Sequence, residues 1–116
     1  MNLSKEIYEL AEHLDIKKAE DIVLIDVAEI TVLADAFIIL NGISTPHVKK
    51  LAEETEEFLA KKGMFKLREE GYTDGKWIVL DYGDFIVHIF NREEREYYGI
   101  ERLWKNENNF THYNKE

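Results

Sequence analysis

Cysteine is absent from the 116-residue sequence, and proline occurs only once. The lack of cysteine excludes a disulfide framework, a zinc site with cysteine ligands and catalysis by a thiol. No run of about 18 apolar residues occurs, so the sequence predicts no transmembrane helix. The first residues also lack the basic-then-apolar order of a secretory signal. We therefore expect a cytoplasmic protein with one modest hydrophobic core.

Basic residues are few, since 15 Lys and Arg stand against 24 Asp and Glu and the formal net charge is −9. A protein that binds nucleic-acid phosphates usually carries a basic stripe on its surface. The basic residues here are scattered among the acidic ones, which disfavours direct, sequence-specific binding of nucleic acid. A basic protein is the natural partner of such a chain, although acidity alone also serves to keep a protein soluble.

The first half of the chain has the periodicity of two helices and two strands. A short amphipathic helix is predicted at 3–13, and strands are predicted at 21–27 and 36–41. A longer helix is expected next, with Ser44 or Thr45 as a candidate cap and Pro46 at the first helical position. The apolar stripe of this helix consists of Val48, Leu51, Ala52, Thr55, Phe58 and Leu59. Such a stripe predicts that the helix packs on a sheet.

The opposite face of the long helix is acidic. It carries Glu53, Glu54, Glu56 and Glu57, and it ends at the segment Lys61-Lys62-Gly63. A charge run of this kind is most often a solvated surface, so we expect all four carboxylates to face water.

The second half of the chain begins with a strand near 65–72, which an Asp-Gly turn at residues 74 and 75 joins to a fourth strand. The turn Asp81–Asp84 then leads to a fifth strand at 85–91, and short helices are expected at 92–98 and 100–104. The last residues, 105–116, are polar and predict a frayed tail. The order α-β-β-α-β-β-β-α predicts a single α/β domain at 1–104, with a mixed five-stranded sheet flanked by helices.

The fourth strand places an unusual group of side chains together. Alternation sends Trp77, Val79 and Asp81 to one face and Ile78, Leu80 and Tyr82 to the other. A Trp on a sheet usually packs under a helix, but sharing a face with Asp81 favours exposure.

Neighbouring aromatic residues and the histidine of the fifth strand have simpler interpretations. His88 is predicted to pack beside the sheet with a hydrogen bond to a neighbour, because Asp84 lies about 13 Å away along the strand, too far to share a metal ion. Trp104 is predicted to close the core. Of Tyr97 and Tyr98, one is expected to point inward and the other outward.

Several blocks of the chain recur in a known family. They include the segment 77–90 with its Asp-Tyr-Gly-Asp turn, the segment Arg95-Glu96-Tyr97-Tyr98 and, upstream, 21–27, 34–37 and Gly42-Ile43-Ser44. Together they resemble the Iojap-related ribosomal silencing factors over roughly residues 3–104. The resemblance implies a mixed five-stranded sheet related to the nucleotidyltransferase core.

The resemblance also implies a function without catalysis. Members of this family bind the large ribosomal subunit through ribosomal protein L-fourteen, on the face that meets the small subunit. Occupying that face blocks the joining of the subunits and lowers translation when nutrients are short. Trp77 is the expected apolar anchor, Asp81 and Asp84 are expected to pair with Lys or Arg, and Tyr82 is expected to make a mixed contact. Glu69 and Glu70 are expected to form an acidic rim of this interface.

Two other functions stay open. The first is a nucleotidyltransferase-like enzyme, since Gly42-Ile43-Ser44 before a helix has a weak likeness to a phosphate-binding turn. No Asp-x-Asp or Asp-x-Glu pair follows it on a strand, so no catalytic residue, metal or cofactor is predicted. The second is an acidic interaction module with another basic protein partner. An exposed sheet edge would also permit a homodimer.

Overall fold

Four helices and six strands make up the structure, a computed structural model that describes residues 2–114. In chain order they are α1 (Lys5–Ile16), β1 (Glu20–Asp26), β2 (Ala36–Gly42), α2 (Thr45–Ala60), β3 (Arg68–Glu70), β4 (Trp77–Asp81), β5 (Phe85–Asn91), α3 (Arg92–Tyr98), α4 (Glu101–Trp104) and β6 (Phe110–His112). The strands form one sheet in the spatial order β3-β4-β5-β2-β1-β6. The predicted fold class, an α/β domain with a mixed sheet flanked by helices, is confirmed, with six strands in place of five.

Strands β2 and β5 lie at the centre of the sheet and run parallel, whereas the other neighbouring strands are antiparallel. All seven residues of β2 are buried. Parallel strands covered on both faces have nearly continuous apolar sequences, and β2 fits this rule until Asn41 near its end. That single buried amide becomes important for the placement of α3, described below.

Helices α1 and α2 pack on one face of the sheet, called here the helix-covered face. The side chain of Ser44 caps α2 by accepting a hydrogen bond from the backbone N–H of His47 at 3.2 Å. The predicted apolar stripe of α2 is buried, apart from the partly buried Phe58. Among the described residues, no helix is long and apolar enough to span a bilayer.

The hairpin of β4 and β5 forms as the sequence predicts. Its register pairs Trp77 with Phe90, and the backbone N–H of Tyr82 donates to the carbonyl oxygen of Phe85 at 3.0 Å. Gly83 has a φ of +86°, which is the left-handed region that a tight two-residue hairpin turn requires. The turn residues therefore fix the pairing of both strands.

The carboxyl-terminal segment differs from its prediction. The prediction that residues 105–116 fray is wrong for Phe110–His112, which pair with β1 and extend the sheet. Asparagine side chains hold this segment. The amide nitrogen of Asn109 donates to the backbone carbonyl of Asp26 at 3.0 Å, and the side-chain oxygen of Asn114 accepts a backbone N–H of β1 at 2.8 Å. The last two residues lie outside the described part of the chain.

One carboxylate of α2 is buried against prediction. Glu53 and Glu57 are exposed as expected, but Glu54 is buried beneath α1. Nε2 of His13 lies 2.9 Å from Oε1 of Glu54, and the imidazole ring also stacks on Phe58 with centroids 4.7 Å apart. This hydrogen bond, followed by the nearby Lys side chains, lowers the pKa of Glu54. The helix pattern alone could not show that α1 brings a partner to this position.

Candidate protein-binding face

The second face of the sheet, turned away from α1 and α2, is lined by aromatic rings. This aromatic face is defined by Phe37, Trp77, His88, Phe90, Tyr98 and Trp104. Alternation along β4 produces the arrangement as predicted, because Ile78 and Leu80 are fully buried on the helix-covered face while Trp77 and Val79 are half-buried on this one. The short helices α3 and α4 cover part of it.

Trp77 lies among three neighbours on the aromatic face. Its ring centroid is 4.8 Å from that of Phe90, and it is also 4.8 Å from that of Tyr98. The indole N–H donates a hydrogen bond to Nδ1 of His88 at 3.2 Å. The sequence favoured an exposed Trp77, and the side chain is in fact half-buried. It combines a surface position with a fixed orientation.

His88 is buried beside Trp77. Its ring meets Phe37 edge-on with centroids 5.2 Å apart. Burial lowers the pKa of the imidazole to about 4, because the charged form would lose its hydration. The prediction that His88 packs beside the sheet and bonds to a neighbour is confirmed by the bond from Trp77.

Helices α3 and α4 form one wall of the aromatic face. The side chain of Asn91 caps α3 by accepting the backbone N–H of Glu94 at 2.8 Å. Gly99 ends the helix with a φ of +51°, as the predicted break requires. The prediction that one of Tyr97 and Tyr98 points inward is wrong, since they are 79% and 47% exposed. The two neighbours on one short helix both extend over the rim of the face.

Trp104, at the end of α4, packs edge-on against Phe37 with centroids 5.2 Å apart. It is partly buried rather than fully enclosed. The adjacent Leu103 is 75% exposed. The rim formed by α3 and α4 therefore presents both aromatic and aliphatic surface to the solvent.

A buried arginine, missed by the sequence analysis, fixes the position of α3. The guanidinium of Arg95 donates to Oε2 of Glu101 at 2.8 Å and to Oδ1 of Asn41 at 2.9 Å. Asn41 in turn donates to Oε1 of Glu20, which forms a two-point ion pair with Arg92. A buried charge needs this complete set of partners. The one polar residue in the apolar strand β2 was the available signal.

Asp81 serves the hairpin turn more than the surface. Its Oδ1 accepts the backbone N–H of Gly83 at 2.8 Å, and its Oδ2 lies 3.2 Å from Nη2 of Arg68 on the neighbouring strand. The side chain of Asp84 is exposed, and its backbone carbonyl accepts the N–H of Asp35 at 2.8 Å. Asp84 is therefore the freer of these two carboxylates to meet a cation.

The remaining predicted site residues divide between the two faces. Tyr82 stacks on Phe85 with centroids 5.2 Å apart at the edge of the helix-covered core, and burial raises its pKa to about 12. Glu69 lies on the same side and pairs with Lys66 at 2.6 Å. Glu70 stands opposite Val79 in the ladder and shares the aromatic face. The structure thus groups Trp77, Asp81 and Glu70, with Tyr82 and Glu69 on the other side.

The turn before α2 is filled by the chain itself. The backbone N–H of Ile43 donates to Nδ1 of His47 at 3.0 Å, and Nε2 of His47 lies 3.0 Å from the carbonyl of Lys17. The first helical amides bond to Ser44. Within residues 2–114, no group of three or more His, Asp or Glu side chains could hold a metal ion.

The sequence matches the family model described as ribosomal silencing factor during starvation over residues 2–116. The chain belongs to this family. A ribosomal silencing factor of Halalkalibacterium halodurans is 37% identical over 102 residues, which cover 87% of each chain. One of Haemophilus influenzae is 40% identical over 95 residues, or 82% of this chain and 93% of that protein.

The fold of this family member is also similar to solved structures. A crystal structure of a Chromobacterium violaceum protein aligns with a TM-score of 0.81 and 32% identity, over 88% of this chain and 87% of that one. The resemblance inferred from the sequence blocks is therefore confirmed at the level of family and fold.

Proposed function

We propose that this ribosomal silencing factor binds the large ribosomal subunit through ribosomal protein L-fourteen. In its bound position it blocks joining of the small subunit by steric exclusion and represses translation when nutrients are limited. Its site of action is then the cytoplasm. Family membership supports the general role, and the aromatic face around Trp77 is the observation that supports a docking surface.

The aromatic face has the composition of a protein interface. Trp77 is half-buried and oriented by a hydrogen bond, while Tyr97, Tyr98 and Leu103 extend from the adjacent rim. Tyr and Trp are enriched where binding energy is concentrated, because each buries a large rigid surface at low entropic cost. Trp77 is the anchor that we propose inserts into the partner.

Charge adds selectivity to this surface. The chain carries a net charge of −9, and Glu70, Asp81 and Asp84 border β4 and its turn. A basic ribosomal protein attracts such a body, whereas the phosphates of ribosomal RNA repel it. The acidic chain is then directed to a protein surface both by favourable contacts with it and by repulsion from the surrounding RNA. Tyr82 and Glu69, whose side chains lie on the helix-covered side, stay predicted contacts at the β3–β4 edge of the proposed site.

The proposed mechanism needs no catalysis. The turn that resembles a phosphate-binding loop uses its own amides and His47 for internal hydrogen bonds. Purified protein is expected neither to hydrolyse nor to transfer nucleotides with Mg²⁺ or Mn²⁺ present. Turnover that persists through purification and disappears in Ser44→Ala would instead support an enzyme.

Co-sedimentation with ribosomal subunits tests the proposed function. The protein should pellet with isolated large subunits and remain in the supernatant with joined ribosomes. Binding should weaken as salt rises, because exposed charges are screened over about 10 Å at 0.1 M salt. Equal pelleting with both particles, or with neither, would contradict the proposal.

Two alanine variants locate the surface. Tyr98→Ala removes an exposed ring from the rim of the aromatic face and should weaken binding to large subunits about tenfold. Tyr8→Ala is the matched control, because Tyr8 is 39% exposed on α1 and lies beyond the opposite face of the sheet. Equal loss in both variants would place the interface elsewhere.

A further inference from the structure

One buried nitrogen of the aromatic face has no hydrogen-bond partner within residues 2–114. Nε2 of His88 is buried and makes no hydrogen bond within the described residues. The side chain as a whole is only 9% exposed. Buried polar atoms in native proteins nearly always have a partner, so such an exception calls for a reason.

The other ring nitrogen determines what this atom is. Nδ1 of His88 accepts the indole N–H of Trp77 at 3.2 Å and therefore carries no proton. A neutral imidazole must then carry its proton on Nε2. The unpartnered atom is thus a hydrogen-bond donor, in the same ring that accepts the N–H of the proposed anchor.

A purely structural role would not require a histidine at position 88. Phe37 and Phe90 surround the ring, so an apolar side chain would suit the packing and leave no buried donor unsatisfied. His88 provides Trp77 with an acceptor, but Trp77 is half-buried and its N–H could reach solvent instead. The unused donor is the property that only a polar residue supplies here.

We propose that Nε2–H of His88 donates a hydrogen bond to a backbone carbonyl oxygen of the protein that docks on the aromatic face. This inference rests on the proposed function and specifies its chemistry. The backbone carbonyl is the acceptor that every residue of the partner offers, whereas its Lys and Arg side chains offer none.

Docking must uncover the donor before the bond forms. Trp77 is the ring beside His88 that reaches the surface, with centroids 6.1 Å apart. Side-chain rotations of this kind are common when interfaces form. A rotation of Trp77 that keeps its hydrogen bond to Nδ1 leaves the proton on Nε2, and that donor then becomes available to the carbonyl group.

Three substitutions separate the two nitrogens of His88. Gln carries its amide N–H near the position of Nε2, so His88→Gln keeps the donor. Asn carries its amide oxygen near the position of Nδ1, so His88→Asn keeps the acceptor for Trp77 and removes the donor. His88→Phe removes both groups and preserves the ring shape.

Affinity for isolated ribosomal protein L-fourteen and thermal stability are measured for all four proteins. His88→Gln should bind within a few-fold of wild type. His88→Asn and His88→Phe should bind roughly ten- to a hundredfold more weakly, since the carbonyl of the partner loses its donor. His88→Phe should melt at or above the wild-type temperature, because a buried unsatisfied donor has been removed.

The signals of the His88 ring provide a readout that does not depend on substitution. Nitrogen NMR of the free protein should show the neutral form protonated at Nε2, and the Nε2 proton should shift downfield on complex formation. If His88→Phe is folded and binds as tightly as the wild type, this inference is overturned and the proposed function still stands. Failure of the wild type to bind would reject both.

Discussion

The two faces of the sheet are formed by the same strands but differ in how completely their side chains are buried. On the helix-covered face, Leu51 of α2 and Ile78 of β4 are completely buried between the helices and the sheet. On the aromatic face, Trp77 of the same strand as Ile78 remains half-buried, and Tyr98 is 47% exposed. Alternate side chains of β4 therefore stabilise the core on one side of the sheet and remain accessible to a binding partner on the other.

The buried polar groups of the two faces follow the same division. Glu54, beneath α1, is hydrogen-bonded to His13 and lies 3.4 Å from the ammonium of Lys50. His88, on the aromatic face, has one nitrogen without a partner among the residues that the structure describes. A group that serves folding alone gains from being fully paired, whereas a group kept for binding can remain unpaired until the partner arrives.

The largest expected effect is a loss of folding stability from a substitution on the helix-covered face. Leu51→Ala should lower the free energy of unfolding by about 3 kcal/mol, because it opens a cavity under α2. The melting temperature should fall by roughly 10 °C, measured by circular dichroism. Binding to large subunits well below that temperature should stay at the wild-type level. Loss of binding by the folded variant would contradict the division of labour between the faces.

The second expected effect is a pH dependence that comes from the aromatic face. The pKa of His88 is about 4 in the folded protein and about 6.5 in the unfolded chain. Between these pH values the imidazole is protonated in the unfolded chain but stays neutral in the folded protein. Stability should therefore fall as the pH drops from 6.5 toward 4, by about 2 kcal/mol at pH 5.

Denaturant unfolding of wild type and His88→Phe at pH 7 and pH 5 measures this term. Other carboxylates and histidines titrate equally in both proteins, so the difference between them isolates His88. If the two proteins lose the same stability between these pH values, the ring is not held neutral by burial.

The smallest expected stability change accompanies a large change in binding. Trp77→Ala should cost about 1 kcal/mol of folding stability, less than the roughly 3–5 kcal/mol typical of a fully buried Trp. It should cost about 2 kcal/mol of binding to large subunits, a thirtyfold loss of affinity. Pull-downs and melting curves on one preparation give both values. Unfolding of the variant would show that the ring is a core residue.

Much of the fold follows from local signals in the sequence. The cap at Ser44, the hairpin turn at Gly83 and the break at Gly99 each depend on a residue type whose preferred geometry is known. The alternation that places Trp77 opposite Ile78 depends only on the geometry of a strand. These features needed no knowledge of distant contacts.

The errors arose where distant parts of the chain meet. Strand β6 depends on the side-chain amides of Asn109 and Asn114, which bond to residues of β1 that lie 83 and 92 positions earlier in the chain. Glu54 is buried because α1 brings His13 to it. No local pattern encodes such pairings, so a polar segment and an acidic helix face were given their usual solvated interpretation.

The candidate site was predictable in part for the same reason. Trp77 and Glu70 share the aromatic face, whereas Tyr82 belongs to the opposite one and Asp81 is engaged by the turn and Arg68. The support from Arg95 escaped notice because its partners come from three separate elements. Which of the predicted residues contact a partner stays a prediction.

The pairing of β6 with β1 has a consequence for synthesis of the protein. Residues 110–112 complete the sheet beside residues 23–25, so this edge of β1 stays open until residues 110–112 have been translated. At ordinary elongation rates, that interval lasts on the order of 10 s. An open strand edge is a template for pairing with other chains, so the nascent chain is exposed to such pairing for that time. Codon choice after β1 therefore sets how long the nascent chain is at risk of aggregation.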